Sequence, residues 1–381
     1  AGPFADNVIN GAAGTWTAAD TNWTNNTGAL SVAWGNVLNS SRAFFAGTAG
    51  TVTVADSFFY EGLIFQTDGY VLNPIAAETL SAISGVITVD PGVTATVNVE
   101  LSGINGLTKN GTGTLVLNGA NSFTDGFTLA AGRVNISNDA ALSTGTVSMG
   151  ANTTLGSITN AVALANDIGL DGAGITLDAA TNLTLNGVVS GLNGFTKTGA
   201  GTLALNGNNN FQGNVALNAG AISVGNNNGL GNAANVLAMA DGTVLNVGNG
   251  ISVGQGITVT GNVDINGTGA TATLASDISG GGQVDLGSAG QLNLTGNNSY
   301  SGGTRLQGGT IGIGGDTVFG TGDVTVAAAT TLASLGVIQT TRTLANNIQL
   351  DAATVVTGTG GTAGPPYGFI GNVLQLNGNL T

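Results

Sequence analysis

The sequence predicts an all-β protein, a right-handed parallel β-helix (solenoid), and two observations carry this prediction. First, three segments of 30 residues align without a gap and begin at Leu107, Phe195 and Val284, about 88 residues apart. A fixed long period is typical of stacked, quasi-one-dimensional folds. Second, each copy contains only short runs of alternating apolar residues, separated by Gly and Asn. Helical crossovers have no room between them, so each strand must pair with its equivalent one turn away. Right-handedness follows from the general preference of parallel crossovers.

Each copy is predicted to hold three strands. In the first strand of the first copy, Leu115 and Leu117 alternate with polar or outward positions, so both leucines should point inward. A turn with Asn118 and Gly119 follows, then an aromatic residue, a second alternating run that ends at Gly132, and a third strand. The inward leucines of the other copies are Leu203, Leu205, Leu292 and Leu294.

Asparagines recur at the predicted turns: Asn118, Asn121, Asn206, Asn209 and Asn298. One interpretation is a series of ligand-binding amides. The interpretation we favour is that they are turn residues in left-handed conformations whose side chains bond backbone groups.

The copies share the pattern G-L-T-K-x-G-x-G-T-L-x-L-x-G-x-N-x-[FY]-x-G, followed by a strand of the form G-x-[IV]-x-[IV]. This pattern resembles the autotransporter-associated β-strand repeat, which is found in passenger domains of bacterial type V secreted and surface proteins. The resemblance covers roughly Gly103 to Thr381 and implies a β-helical fold at the bacterial surface. The third copy is interpreted as a departure in which Asp285 replaces Lys109 and Lys197.

Composition excludes several classes of function. The chain has 381 residues, of which 66 are Gly and only 7% are charged, and its formal net charge is −14. The six basic residues are scattered, which argues against nucleic acid as a partner because phosphate binding needs clustered Lys and Arg. The sequence contains no Cys and no His, so disulfides, thiolate chemistry, Cys/His metal sites and His-dependent triads are excluded. No apolar run approaches the ~20 residues of a membrane-spanning helix.

Residues 1–80 differ from residues 81–381. The first segment holds eleven of the nineteen aromatic residues, including all three Trp. Because the first coil of a solenoid exposes an open core, we expect this segment to form an aromatic-rich cap together with the first coils. Residues 81–381 are predicted to form the repeat β-helix, which ends in the middle of a repeat and so suggests a fragment or an end that is covered by other means.

Two surfaces are candidates for partners. Phe58, Phe59 and Tyr60, next to Glu61, are the predicted exposed patch, either for stacking on sugars or for a partner protein. The final strand, with Val373, Gln375 and Asn377, carries no charge that would guard an open edge. We therefore expect that copies of the chain contact one another end to end at this strand. Such a contact would join unlike ends, so it would be heterologous and would give filaments.

Candidate catalytic and metal sites are weak. The stretch Gly312–Gly320 resembles a nonapeptide calcium repeat only once, and Asp316 aligns with Asp139 of the first copy, so it is explained as a family repeat. Asp167 and Asp171 are interpreted as solvated turn residues rather than a glycosidase pair. We predict no catalytic residue, no metal site and no cofactor.

The function predicted from the sequence is a non-enzymatic extracellular structural protein, a rigid stalk or adhesin-type passenger segment at the bacterial cell surface. One alternative is a subunit of a head-to-tail filament. A second is a β-helix that binds or degrades carbohydrate. Expected partners are a host or surface glycan or protein, and further copies of the chain.

Overall fold

The computed structural model describes residues 13–18, 23–24, 31–32, 42–159, 161–335, 341–358, 373–376 and 378–381. Within these residues every regular element is a β-strand, and no helix is long and apolar enough to cross a membrane. The chain divides into two compact units, Ala1–Asn193 and Gly194–Thr381.

The strands of the first unit are β1 (Gly14–Trp16), β2 (Trp23–Thr24), β3 (Ser31–Val32), β4 (Arg42–Phe45), β5 (Thr51–Val54), β6 (Phe58–Phe65), β7 (Tyr70–Pro74), β8 (Thr79–Val89), β9 (Thr94–Val97), β10 (Glu100–Ser102), β11 (Leu107–Asn110), β12 (Thr114–Leu117), β13 (Phe127–Leu129), β14 (Arg133–Ile136), β15 (Val147–Met149), β16 (Thr154–Ser157), β17 (Val162–Leu164), β18 (Ile168–Leu170), β19 (Ile175–Ala179), β20 (Leu183–Leu185) and β21 (Val189–Gly191).

The strands of the second unit are β22 (Phe195–Thr198), β23 (Thr202–Leu205), β24 (Val215–Leu217), β25 (Ala221–Val224), β26 (Val236–Met239), β27 (Val244–Gly248), β28 (Ser252–Val253), β29 (Gly256–Val259), β30 (Val263–Thr268), β31 (Thr271–Leu274), β32 (Ile278–Gly280), β33 (Val284–Ser288), β34 (Gln291–Leu294), β35 (Thr304–Leu306), β36 (Gly309–Ile313), β37 (Val324–Val326), β38 (Thr330–Ser334), β39 (Thr341–Leu344), β40 (Ile348–Leu350), β41 (Thr354–Gly358) and β42 (Val373–Leu376).

Each unit is a parallel β-solenoid. In the first, one sheet runs β1-β5-β7-β9-β12-β14-β16-β19, a second runs β21-β18-β15-β13-β11-β8-β6-β4 with β10 beside β8, and β17 pairs with β20. In the second, the sheets run β22-β24-β26-β29-β32, β23-β25-β27-β30-β33-β35-β37-β40 and β28-β31-β34-β36-β38-β41, and β39 pairs with β42. Only the short pair β2 and β3 is antiparallel among the described pairings.

Strand partners lie one coil apart, as expected for a solenoid. Leu117 pairs with Ile136, and Leu129 pairs with Met149, so a coil takes about 20 residues. The predicted parallel β-helix is thereby confirmed as a parallel β-solenoid, whereas its right-handed sense and the boundary at residue 80 stay predictions.

The core consists of the inward residues of every strand. Leu117, Leu205 and Leu294 are at most 1% exposed, as are the alternate leucines two positions before each of them. Burying one such side chain stabilises the fold by roughly 1.5–3 kcal/mol. Each of these leucines stacks on inward residues of the neighbouring coils, as Leu117 does on Ile136 and Leu205 on Val224.

Aromatic side chains fill the interior of the first coils, as the sequence predicts. Trp16 stacks on Phe58 with ring centroids 4.8 Å apart, and Phe45 stacks on Phe65 at 4.5 Å. Tyr70 packs edge-on against Phe45. Phe4 and Trp34, also part of the predicted cap, lie outside the described residues, and of Trp23 only the backbone is described.

Buried asparagines join each repeat to its neighbouring coils. Asn298 accepts the backbone N–H of Ile278 one coil before at 2.8 Å and donates to the Val318 carbonyl one coil after at 2.6 Å. Asn121 makes the equivalent pair of bonds to Leu101 and Ala141. The predicted bonds to backbone groups are confirmed for Asn121, Asn209 and Asn298. The Asn118 side chain instead bonds the side chains of Asn98 and Ser137.

The predicted left-handed conformation of the turn asparagines is wrong. Among the described residues, the non-glycine positions with positive φ are Asp125, Ser143 and Asn152. The turn asparagines keep ordinary backbone angles because their amides reach along the stack to other coils, which requires no reversal of the local chain.

Two lysines lie inside the solenoid. Lys109 and Lys197 are both 0% exposed. The Lys109 Nζ donates to the carbonyls of Gly111 at 2.7 Å and Ala131 at 3.0 Å, which lie on adjacent coils. Each amine therefore fastens one corner of its own coil to the next coil.

The third copy lacks this lysine, and the residue in its place is Leu286 rather than Asp285. Leu286 pairs with Leu306, just as Lys109 pairs with Leu129. Leu286 is 1% exposed, whereas Asp285 occupies the outward position. The interpretation that Asp285 replaces the lysine was therefore wrong by one residue, and one residue reverses the face in a strand.

The glycine that closes the second strand of a copy is required by its conformation and by the neighbouring coil. Gly132 has φ +73, and a Cβ there would lie 2.6 Å from the Gly113 carbonyl oxygen. Gly220 has φ +67 and the same kind of contact with Gly201. These corners turn as predicted because only glycine fits them.

We predict that Leu205→Asp will destabilise the protein by several kcal/mol, because it places an unpaired charge in an apolar column. The matched control is Ala238→Asp, since Ala238 is an exposed strand position between buried Leu237 and Met239. Urea unfolding of both variants tests the assigned register. Equal loss of stability in the two would contradict it.

We also predict a pH-dependent role for Lys109. Burial lowers its pKa from 10.5 to about 8. Between these values the unfolded chain binds more protons at this site than the folded chain, so the contribution of Lys109 to stability rises with pH. The neutral amine keeps two N–H donors, which match its two carbonyl acceptors.

The measurement compares the free energy of unfolding of the wild type and Lys109→Met at pH 7 and pH 10. The advantage of the wild type should grow with pH. Burial raises the pKa of Tyr60 and Tyr300, but both tyrosines are present in each protein, so their contribution cancels in the difference. A constant or shrinking advantage would show that the amine stays charged inside the fold.

Candidate functional site

The predicted aromatic patch is corrected by the alternation of β6. Phe58 and Tyr60 are 1% and 0% exposed and belong to the core, whereas Phe59 is 40% exposed. Consecutive strand residues point to opposite faces, so three successive aromatics cannot share the surface. Phe58 and Tyr60 are therefore not a partner surface.

Exposed aromatics nevertheless occur on the outer face of the first coils. Phe44 on β4 is 45% exposed, close to the value for Phe59 on β6. Arg42 and Glu61 form an ion pair at 3.5 Å on the same two strands. Whether Phe59 contacts a partner stays a prediction.

The predicted end-to-end contact also stays a prediction. Val373 and Gln375 lie in β42, whose backbone pairs in parallel with β39. Asn377 lies outside the described residues.

Turn aspartates are occupied by backbone bonds of the next coil. Asp139 Oδ1 accepts the N–H of Ala163 at 2.7 Å, and its counterpart Asp316 accepts that of Thr343 at 3.0 Å. Asp167 accepts the N–H of Val188 in the same manner. These carboxylates support the corners of coils. The described part of the chain shows no group of three or more metal-ligating acidic side chains.

The third repeat carries a column of outward charges that the other two copies lack. Asp264, Asp285 and Arg305 are in register on adjacent strands β30, β33 and β35. Desolvation, with a smaller contribution from Asp285, raises the pKa of Asp264, while Arg305 acts in the opposite direction. The column therefore holds two carboxylates of like charge and one cation.

Arg305 is poorly paired within this column. Asp285 already accepts the side-chain amides of Gln283 and Gln307, each at 2.6 Å. Arg305 reaches Asp285 only at 3.5 Å. In the first unit, by contrast, Arg133 donates to Asn135 at 2.6 Å and binds Asp178 across the bare backbone of Gly156.

An open groove of about 450 Å³ adjoins Arg305. Its lining consists of Gln283, Ser301, Gly302, Gly303, Thr304, Arg305, Gly322, Asp323 and Thr325. At two of these glycines the neighbouring backbone leaves no room for a side chain. A Cβ on Gly302 would lie 2.4 Å from the Gly282 carbonyl carbon, and one on Gly322 would lie 2.6 Å from the Gly303 nitrogen.

Comparison of the three copies shows that Arg305 is special to the third. Thr128 and Ala216 stand in its place in the first and second copies, whereas Gly302 has an identical counterpart, Gly213, in the second copy. The sequence contained this signal, because a position-by-position alignment of the copies shows that the residues equivalent to Arg305 are small and uncharged. Sequence reasoning missed it because it searched for shared motifs rather than for differences between copies.

Comparison with known proteins agrees with the repeat pattern. The model of the passenger-associated-transport-repeat family matches residues 107–136, 195–224 and 288–313. The chain therefore carries passenger-associated-transport repeats in these three segments. In the third copy the match begins at Ser288, beyond Leu286, the position at which the other copies carry the buried lysine.

A curated relative supports the same assignment. The chain is 32% identical, over 236 residues, to a protein of Brucella suis biovar 1 (strain 1330) named adhesin BmaC autotransporter. The similarity covers 57% of this chain and 7% of the length of that relative. No solved structure matches the chain.

The third repeat also differs inside the core, where two changes compensate each other. Tyr300 stands where the other copies have Phe123 and Phe211, and its hydroxyl lies 2.5 Å from Thr304 Oγ1. Thr304 in turn donates to the Phe319 carbonyl at 3.0 Å. The Tyr300 hydroxyl therefore donates to Thr304, whose place is taken by Val215 in the second copy.

We predict that Thr304→Val will cost about 1–3 kcal/mol because it leaves the buried Tyr300 hydroxyl and the Phe319 carbonyl without their partner. The double variant Tyr300→Phe/Thr304→Val reproduces the pair of the second copy and should lose less stability than Thr304→Val alone. Urea unfolding of the single and double variants measures the coupling. Strict additivity would show that the two side chains act independently.

Proposed function

We propose that this chain is a non-enzymatic segment of an adhesin-type passenger, displayed outside the cell at the bacterial surface. The observation that carries the proposal is the repeat itself: three passenger-associated transport repeats on parallel β-solenoid units. The printed name of the 32% identical relative, an autotransporter adhesin, supports the adhesive part.

The chemistry of the described residues supports a structural rather than catalytic role. Turn aspartates are held by backbone N–H groups, and the buried lysines bond backbone carbonyls. Candidate acid, base and nucleophile groups are thus used to join coils. The outward positions remain available for contact with a partner.

A solenoid suits display because its inward and outward positions are separated by alternation. Inward residues fix the fold, whereas outward residues change without disturbing the core. The low charge, 7% of residues, leaves Asn, Thr, Ser and Gly to form a neutral polar surface. The formal net charge of −14 still disfavours non-specific association of copies with one another.

The test is to display the chain on a non-adherent bacterium through a heterologous translocator and to count cells that attach to cultured epithelial cells. Attachment above that of the translocator alone is expected. Soluble purified chain should compete with it, and the soluble Leu205→Asp variant should compete less. Attachment no greater than that of the translocator alone would overturn the adhesive function.

A second measurement addresses the absence of catalysis. Purified protein is incubated with a panel of plant, bacterial and host polysaccharides, and reducing ends are assayed over time. We expect no release above that of the heat-unfolded protein. Release of reducing ends would show that the segment is a glycoside-cleaving enzyme.

A further inference from the structure

We propose that the groove beside Arg305 in the third repeat binds a neutral saccharide. The proposal rests on the adhesive function proposed above and names the class of ligand for one place on the surface. It is independent of the exposed aromatics of the first coils, which lie in the other unit.

The composition of the groove suits a polar ligand. Three of its lining residues are glycines, and the polar side chains of Gln283, Arg305 and Asp323 come from three successive coils. No aromatic or aliphatic side chain is among the described lining residues. Sites for apolar ligands are lined mainly by hydrophobic groups, so the ligand of this groove must be polar.

The functional groups of the walls match adjacent sugar hydroxyls. A hydroxyl both donates and accepts hydrogen bonds. Arg305 supplies donors, because its one described hydrogen-bond contact is the long approach to Asp285. Asp323 supplies an acceptor, since only its Oδ1 is engaged, by the Asn347 amide at 3.0 Å. A vicinal diol placed between them would satisfy both groups.

Local charge selects a neutral ligand over an acidic one. Asp285 and Asp323 lie on either side of Arg305 along the stack, and Asp264 lies one coil beyond Asp285. An anion at Arg305 would face a majority of negative charges at short range. A small cation is disfavoured in turn by the guanidinium itself.

A peptide ligand fits the groove less well than a saccharide. Peptides commonly bind by adding a strand to an open sheet edge. Here β35 is paired on both sides, with β33 and β37. Its backbone groups are therefore already used, and the groove offers no deep pocket for an apolar side chain.

Divergence between copies supports a binding role for the groove. The inward leucines are the same in all three copies, whereas the third copy alone introduces the outward Asp285 and Arg305 where the others have Thr108, Thr196, Thr128 and Ala216. A charge column of this kind adds little stability, because exposed ion pairs contribute roughly 0–1 kcal/mol. Recognition of a ligand gives the substitutions a physical reason that stability does not.

The experiment uses the purified full chain and two probe sets: neutral oligosaccharides that end in glucose, galactose, mannose or N-acetylhexosamine, and their sialylated counterparts. Binding is screened on a glycan array and quantified by saturation-transfer NMR. The affinity should be weak, since an open groove buries little of a ligand, and display in many copies on a cell would compensate.

Variants assign the binding to the groove. Arg305→Ala, which introduces the residue of the second copy, and Asp323→Ala should each weaken binding of the neutral probe about tenfold, the effect of losing one good hydrogen bond. Thr128→Ala, the equivalent outward position of the first copy, should leave binding unchanged. All four proteins should unfold at the same urea concentration, because the three substituted side chains are exposed.

Each other outcome overturns the proposal. These outcomes are no binding of any neutral probe, a preference for the sialylated probes, and binding that survives both groove variants. Binding that is abolished instead by Phe59→Ser would move the site to the first coils. The two proposals fail in distinguishable ways. If cells attach but the purified chain binds no saccharide, only the saccharide site is contradicted. If the purified chain binds a saccharide but cells do not attach, the adhesive function is contradicted.

Discussion

The interaction on which the whole structure depends is the bonding of each coil to the next. Strands accomplish it with parallel ladders, and backbone bonds such as that from the Ser122 N–H to the Leu101 carbonyl continue the contact between coils at the corners. Side chains add the remaining bonds there: the amide of Asn298, the carboxylate of Asp139 and the amine of Lys109 each bond the backbone of an adjacent coil. A buried backbone group left without a partner costs about 1–3 kcal/mol, so these polar positions are as necessary to the fold as the leucines.

This constraint separates the positions that can carry function from those that cannot. Inward and corner residues are committed to the stack, among them Asp139, Asp316 and the buried lysines. Outward strand positions are not, and there the third repeat carries Asp285 and Arg305 beside the groove. A repeat protein can therefore keep one architecture and differ at its surface from coil to coil, which suits the proposed adhesive role.

Residue alternation explains where sequence reasoning succeeded and where it failed. Alternation placed Leu117, Leu205 and Leu294 in the core, because apolar residues recur at every second position of the same strand in all three copies. The same rule applied to β6 would have buried Phe58 and Tyr60 and exposed only Phe59. The aromatic patch was predicted from composition instead, and composition carries no information about which face a side chain occupies. The misplacement of Asp285 at the lysine position was a slip of one residue, which in a strand exchanges core for surface.

The sequence by itself determined the fold class and the inward positions, because the period of about 88 residues and the recurrence of apolar residues at every second position are both properties of residue order along the chain. It also contained the difference between the third copy and the others. Only the tertiary structure decided what the polar residues do, since Asn121 and Lys109 find their partners about 20 residues away, on coils that become neighbours only when the chain winds. The groove was likewise decided by the fold. Gln283, Arg305 and Asp323 come from three successive coils, which the winding of the chain brings together at the groove.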